Sequence, residues 1–178
     1  FIVPGKTLAE ISKLLKEEDE EAYLALSQKH IVFRIGGYYV VSRLLEGEFL
    51  DYNAAIPKVS KTTVKINTRS LTDAVERTSL LISDRLRSPI RLSAMDQKVQ
   101  LNCSTSMGKA HDEVDCEMSG EAVSMGFNNK YLMDALKASD CDMVKLEING
   151  ALSPMRILPL EGESFLFLVL PVRVKNDD

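Results

Sequence analysis

In three similar segments of the chain a cation is followed four residues later by an acid: Lys6 and Glu10, Arg69 and Asp73, Lys130 and Asp134. One reading is an i,i+4 ion pair on a helix, worth about 0.2–0.5 kcal/mol. Cation before acid is the poorer order, however, and a cation near a helix N-terminus opposes the helix dipole. A sequence tuned only for helix stability would reverse the two. Lys13 and Lys16 follow in the first segment, Arg77 in the second and Lys137 in the third. The second reading is therefore a cationic face that meets phosphate oxygens. At the level of these residues both readings stand.

Other chemistry is thinner. Asp112, Glu113, Asp115 and Glu117 form an acidic run on which a small metal-dependent enzyme of duplicated α/β fold could be built. Strand alternation would point these carboxylates to different faces. Neither GxGxxG nor GxxxxGK[ST] occurs, so nucleotide binding has no motif. Ser42, Ser70 and Ser79 lack a nucleophile elbow, and His30 and His111 are the only histidines. Cys103, Cys116 and Cys141 are an odd set without a CxxC pair. They read as small apolar fillers in a reducing cytoplasm, not as a disulfide framework or zinc site. No cofactor is expected, and basic residues interleaved with aromatic ones, as on a single-strand stacking platform, are scarce.

The elements that position the cations come from an internal repeat. Ile66-Asn67-Thr68-Arg69-Ser70-Leu71-Thr72-Asp73-Ala74-Val75 aligns without a gap on Phe127-Asn128-Asn129-Lys130-Tyr131-Leu132-Met133-Asp134-Ala135-Leu136, at an offset of 61 residues (127 minus 66). A weaker copy, Val3-Pro4-Gly5-Lys6-Thr7-Leu8-Ala9-Glu10-Ile11, opens the chain. Each copy reads as a strand turning into a helix. Asn67 and Asn128 suit the N-cap, and Pro4 suits the same region. Apolar stripes follow at helical spacing: Leu8, Ile11 and Leu15; Leu71, Ala74, Val75, Thr78 and Leu81; Leu132, Ala135 and Leu136.

Strands must receive those stripes. The pattern predicts them at 22–26, 31–35 and 38–45, the latter two joined by the Gly36-Gly37 hairpin. After the second helix it predicts 90–93, 99–102 and 113–118, and after the third 144–148, 155–158 and 165–172. Val144, Leu146 and Ile148 alternate with Lys145 and Glu147, the period of a half-buried strand. The expected fold is α+β, a repeated βαβββ unit with helices on one face of antiparallel sheets. A boundary is drawn near the polar stretch Pro57–Thr62, giving half a domain over 1–57 and a whole one over 58–178. The opening Phe1-Ile2-Val3-Pro4-Gly5 reads as the middle of a strand and not a secretory signal, so a piece of something longer is expected.

Bulk properties agree with a globular protein: 178 residues, 45% apolar, 27% charged and no apolar run of membrane-spanning length. A net charge of −4 excludes a uniformly basic nucleic-acid binder but not one whose cations gather on one face.

The segment Val41-Ser42-Arg43-Leu44-Leu45-Glu46-Gly47-Glu48-Phe49-Leu50-Asp51-Tyr52, followed by Ile56-Pro57, resembles the S-[RK]-L-[LIV]-[ED]-G-x-[FY]-P-D-Y signature of the bacterial DNA polymerase III β sliding-clamp family. The Val3–Leu8 opening, Gly126-Phe127-Asn128 with Tyr131-Leu132, and Leu170-Pro171-Val172-Arg173 resemble it further. The resemblance covers the second half of that family's middle domain and its whole third domain. It implies a processivity factor, not an enzyme: a homodimeric ring around double-stranded DNA, with helices lining the hole and sheets outside. On that basis Lys6 and Lys13 would face DNA, and repeat symmetry extends this to Arg69, Arg77, Lys130 and Lys137.

The resemblance also implies a hydrophobic pocket for short peptides of polymerases, clamp loader and repair proteins. Its residues here would be Leu50, Ala54, Ala55, Leu86, Asn128, Tyr131, Leu152, Pro154, Leu168, Val169, Leu170, Pro171, Val172, Arg173 and Val174. The inward half of 168–174 also reads as a core strand. Leu50 departs from the family's usual Pro. Leu80 and Leu81 resemble subunit-contact leucines; about 100° apart on a helix, one can enter the core while the other meets a partner. Besides the small metal-dependent enzyme, a regulatory dimer that binds only protein is a third reading.

Overall fold

The computed structural model describes residues 1–15, 21–83 and 88–173. The chain divides into two compact units, Phe1–Tyr52 and Asn53–Asp178.

In the first unit, helix α1 (Gly5–Leu14) is followed by strands β1 (Ala22–Leu26), β2 (His30–Ile35) and β3 (Tyr38–Arg43). The strands form an antiparallel sheet in chain order. Gly36, at φ 54°, closes the two-residue turn between paired Ile35 and Tyr38, a conformation that costs glycine little. Ile11, Ile31, Phe33 and Ile35 make a small core with Val3, Leu14, Val40 and Leu44 against it. The expected Leu8–Ile11–Leu15 stripe is corrected here. Leu8 and Leu15 are 49% and 46% exposed, and the helix turns Thr7, Ile11 and Leu14 inward instead. Thr7 fixes that rotation through a 2.7 Å hydroxyl–hydroxyl hydrogen bond to Ser42 of β3.

A single turn, α2 (Tyr52–Ala55), lies where the larger unit begins. That unit contains β4 (Thr62–Asn67), α3 (Thr68–Ser79), β5 (Ile90–Met95), β6 (Lys98–Thr105), β7 (Gly108–Asp115) and β8 (Glu117–Gly120). Then come β9 (Val123–Phe127), α4 (Asn129–Lys137), β10 (Met143–Ile148), β11 (Met155–Pro159), β12 (Phe167–Val169) and β13 (Pro171–Val172). Two five-stranded sheets result, ordered β12-β11-β10-β4-β8 and β13-β9-β5-β6-β7. The repeat becomes geometry in that ordering. Equating β4 with β9 and carrying the match down the chain turns one sheet order into the other. Each copy is a strand, a helix, a three-stranded meander in the opposite sheet, and a short strand returning to the first.

The returns correct two expectations. The run 113–118 is not one strand, because it leaves one sheet after Asp115 and enters the other at Glu117. Gln97 makes the corner: its backbone carbonyl accepts from Cys116 N (2.9 Å), and its side chain both accepts from Met118 N (2.8 Å) and donates to Met118 O (3.0 Å). The run 165–172 breaks in the same way at Leu170, between β12 and β13.

The core lies between the sheets and beneath the helices. Leu71, Ala74 and Val75 of α3 and Leu132 and Leu136 of α4 meet Val64, Ile66, Leu92, Leu101, Phe127, Leu146 and Ile157, all essentially inaccessible. Full burial of each such side chain stabilises by about 1.5–3 kcal/mol. The three cysteines are free thiols, Cys103 buried and the others partly so.

Candidate functional site

Each repeated helix begins in the same way. Asn67 accepts from Ser70 N at 2.9 Å and donates to Asp142 O at 3.1 Å, and Asn128 accepts from Lys130 N at 2.9 Å. These caps satisfy first-turn amides that the helix cannot pair internally. Pro4 has no side-chain acceptor, but its carbonyl accepts from Thr7 N (2.9 Å) and Leu8 N (3.3 Å). As a result Lys6, Arg69 and Lys130 are each the second residue of their helix, and all three are exposed. In α1, Glu10 is bonded by Lys13 at 2.8 Å, so the acid is matched from the C-terminal side, not by Lys6.

Helices α3 and α4 lie side by side, with a groove of about 360 Å³ between them. Lys130 and Lys137 line it together with Glu76 and Asp134. Arg69 is not on its walls. Arg77 is directed to the other flank of α3, where its Nε donates to Asp112 of β7 at 2.7 Å. That hydrogen bond is the main reason Asp112 is held below the ordinary carboxylate range and Arg77 is raised. A depressed carboxylate contributes stability above its unfolded-state pKa and loses it as pH falls through the folded value. Asp112→Asn is therefore expected to lower the urea midpoint at pH 7, with the gap closing as pH falls below the carboxylate range. A gap independent of pH would mean that the ionised form is not what stabilises.

The remaining carboxylates of the acidic run go elsewhere. Alternation turns Glu113 to the opposite face of β7, where Lys98 bonds it. Glu117, on β8 in the other sheet, faces Lys65 at 3.6 Å. Among the described residues no group of three metal-ligating side chains converges. The acidic run therefore does not support the metal-dependent enzyme.

The second candidate region is an apolar groove of about 510 Å³ between α4 and the C-terminal strands. Tyr131 forms one wall, 65% exposed; Leu168 and Leu170 form the other, Leu170 64% exposed. Ala135, Ala138 and Leu166 complete it. Ala135 and Ala138 repeat at helical spacing from Tyr131, and Leu166, Leu168 and Leu170 at strand spacing. Leu168 and Leu170 are expected in the pocket and Ala135 in the core stripe; Ala138 and Leu166, at the same spacings, are additions of the structure. Val169, 3% exposed, turns inward, so its side chain supports the groove as core.

Tyr131 is also a wall of a neighbouring groove of about 610 Å³, shared with Asn128, Val172, Arg173 and Pro89. Pro171 is half-buried opposite Phe127. Leu152, 73% exposed, and Pro154 occupy the turn before β11, outside the walls of both grooves. Ala54 and Ala55 are exposed on α2, and Leu50 is 75% exposed in the first unit. Leu86, Val174 and Lys16 lie outside the described residues. At the end of α3, Leu80 is 79% exposed, while Leu81 is half-buried near Gly108.

With these positions fixed, comparison with known proteins is direct. Residues 53–173 match the family model of the DNA polymerase III beta subunit, C-terminal domain. Residues 1–51 match that of its central domain. The chain is 34% identical over 174 residues to a beta sliding clamp of Staphylococcus aureus, covering 97% of this chain and 46% of the relative. The chain thus spans about half the length of the curated relatives it matches. Among solved structures, the DNA polymerase sliding clamp of Bacillus subtilis superposes with a TM-score of 0.91 at 30% identity, over 97% of this chain and 46% of that one. A sliding clamp from Bartonella birtlesii, solved bound to griselimycin, gives 0.90 at 29% identity, over 97% and 47%. Family models that together take in nearly every residue, with a relative at 34% identity and a superposition at a TM-score of 0.91, make this chain a member of the DNA polymerase III beta subunit family.

Proposed function

We propose that the chain is part of a DNA polymerase processivity factor, residues 1–57 being the second half of its middle domain and 58–178 its third domain. The complete protein is a cytoplasmic homodimeric ring, not an enzyme, that encircles duplex DNA without sequence specificity. It tethers DNA polymerase III, other polymerases, the clamp loader and repair proteins through short peptides. One observation carries this reading. Each of the three repeated helices presents a cation as its exposed second residue while its apolar stripe lies on a sheet. Helix stability does not explain cations there, because they oppose the dipole. Phosphate does, and contacts confined to phosphate leave a ring free to move, whereas base contacts would hold it at chosen sequences.

Lys6, Lys13, Arg69, Lys130 and Lys137 are the residues assigned to DNA. Arg77 is committed first to Asp112 and contributes charge at a distance. Leu80 is assigned to the subunit contact, with Leu81 anchoring it from the core side. The apolar groove of Tyr131, Leu168 and Leu170 is assigned to partner peptides, and Leu50, Ala54, Ala55, Leu152 and Pro154 are assigned to the same role by the family resemblance.

Lys6→Glu, Lys13→Glu and Lys137→Glu together in the complete protein are expected to reduce retention on primed circular DNA. They should also flatten the dependence of log affinity on log salt by about 2–3 for each subunit of the ring, since each lost phosphate contact removes roughly 0.9 from that slope. Normal retention at moderate salt with an unchanged slope would overturn the DNA assignment. A protein-only regulatory dimer would show no salt-dependent attraction to DNA at all.

A further inference from the structure

The apolar groove has a counterpart in the other copy of the repeat. A groove of about 400 Å³ lies between α3 and β7, with Ser70, Asp73 and Arg77 on its helix side and Glu113 and Asp115 on its strand side. At the repeat's 61-residue offset those helix positions become Tyr131, Asp134 and Ala138. All three line the apolar groove between α4 and β12. Strand β12 is also the equivalent of β7 when one sheet order is mapped onto the other. The two grooves are therefore one place in the fold, lined by different side chains.

The difference lies in the charges. In the α3 groove Arg77 donates to Asp112 at 2.7 Å and also feels the charge of Asp73, four residues before it. The helix there supplies a cation for its own acid, in the favourable acid-first order. In the α4 groove the acid is kept as Asp134, but Ala138 stands where the arginine would be, and the strand side carries leucines in place of carboxylates. Among the described residues on its walls Asp134 is the one charged side chain, and it is exposed. Lys130 and Lys137, the cations nearest to it along α4, line the α3–α4 groove and not this one. A small residue at 138 leaves room beside the acid.

We infer that the partner peptide brings the missing cation: an Arg or Lys flanking the apolar residue anchored at Tyr131 and Leu170 lies against Asp134, in the space that Arg77 fills beside Asp73. Asp134 is then a specificity-determining residue of the groove, favouring cationic flanks and rejecting acidic ones. This rests on the peptide-binding reading and adds the chemistry of the flanking residue. One exposed charge pair adds little affinity by itself. A like charge in the same place is repelled, however, so attraction and repulsion together separate the two kinds of peptide.

The test uses fluorescence polarisation with the complete protein and a labelled Gln/Leu/Phe-type peptide. Arg or Glu replaces each residue outside the apolar anchors in turn, or extends either end. At one of these places the Arg peptide is expected to bind about fivefold more tightly than the Glu peptide at low salt, the scale of one exposed pair gained and one repulsion avoided. Asp134→Asn, of the same shape, should abolish the preference at that place and leave the parent peptide's affinity unchanged. Asp134→Lys should reverse it. Ala138→Arg, which restores the cation of the α3 groove, should also remove it, because the helix then matches its own acid. No preference for Arg over Glu at any place, or one that persists in Asp134→Asn, overturns the Asp134 assignment while the groove assignment stands. Failure of every peptide to bind overturns both.

Discussion

Tyr131→Ala combined with Leu170→Ala is expected to weaken binding of a Gln/Leu/Phe-type peptide by more than about thirtyfold, the loss typical when two central anchors of one pocket are truncated. Both side chains line the apolar groove, Tyr131 from α4 and Leu170 from the C-terminal strands, and both are well exposed. Folding should be little affected, because neither is a core residue and each already keeps about two-thirds of its surface in water. Val169→Ala is the informative contrast. Its side chain is 3% exposed and packed in the main core, so truncation should lower the urea midpoint by the equivalent of about 1–3 kcal/mol. It should change peptide affinity far less. Fluorescence polarisation and urea unfolding on the same samples separate the two. An unchanged affinity in the Tyr131/Leu170 variant would remove the peptide assignment from this groove.

That contrast between adjacent residues shows where the sequence is legible. Alternation along 165–172 identifies which side chains point in and which point out, and Leu170 beside Val169 follows that rule. Alternation is blind to which sheet a residue joins. Period two runs unbroken through Cys116 and Leu170 while the chain changes sheets at both. At the first, the hydrogen bonds that force the change come from Gln97, remote in sequence. Once the repeat is mapped onto the strands, the two corners prove equivalent, each ending a meander and returning the chain to the sheet of its own first strand. The repeat was readable because Asn at the cap, a cation after it and Leu two residues later survive as residue types. The strand returns were not, because β8 and β13 share no such types.

The helices divide in the same way. Stripes in α3 and α4 are placed correctly because polar residues fill their other faces. In α1, leucines at positions 8, 14 and 15 offer competing stripes, and the Thr7–Ser42 hydrogen bond selects among them. Arg77 shows the limit for charged sites. The sequence reading groups it with Lys137, although at the repeat's 61-residue offset it aligns on Ala138, and the first meander supplies Asp112 within its reach, so that the ion pair turns it to the other flank.

Gly120 is the strongest constraint that pattern reading passes over. It sits opposite Thr62 at the start of the β4–β8 pairing, at φ 102°. A Cβ there would lie 2.0 Å from Lys61 O and 2.9 Å from Thr62 Cα, both backbone atoms. Lys61 cannot withdraw easily, because its N–H is bonded to Ile148 O of β10 at 2.8 Å, and Thr62 is tied by its hydroxyl to Glu121 O at 2.7 Å. Strand β4 is thus pinned on one side by β10 and approached on the other by a glycine with no room for a methyl group. Gly120→Ala is expected to cost about 3–5 kcal/mol, combining backbone strain with a clash that only separation of the strands relieves. Gly150→Ala is the matched control, with φ 126° and nothing within 4 Å of the added carbon. It should cost only the strain, about 1–3 kcal/mol. Urea melts of the two variants isolate the contact. If Gly120→Ala proves no more destabilising than Gly150→Ala, the close approach of β8 to β4 is not what holds this edge, and Gly120 is there for its φ alone.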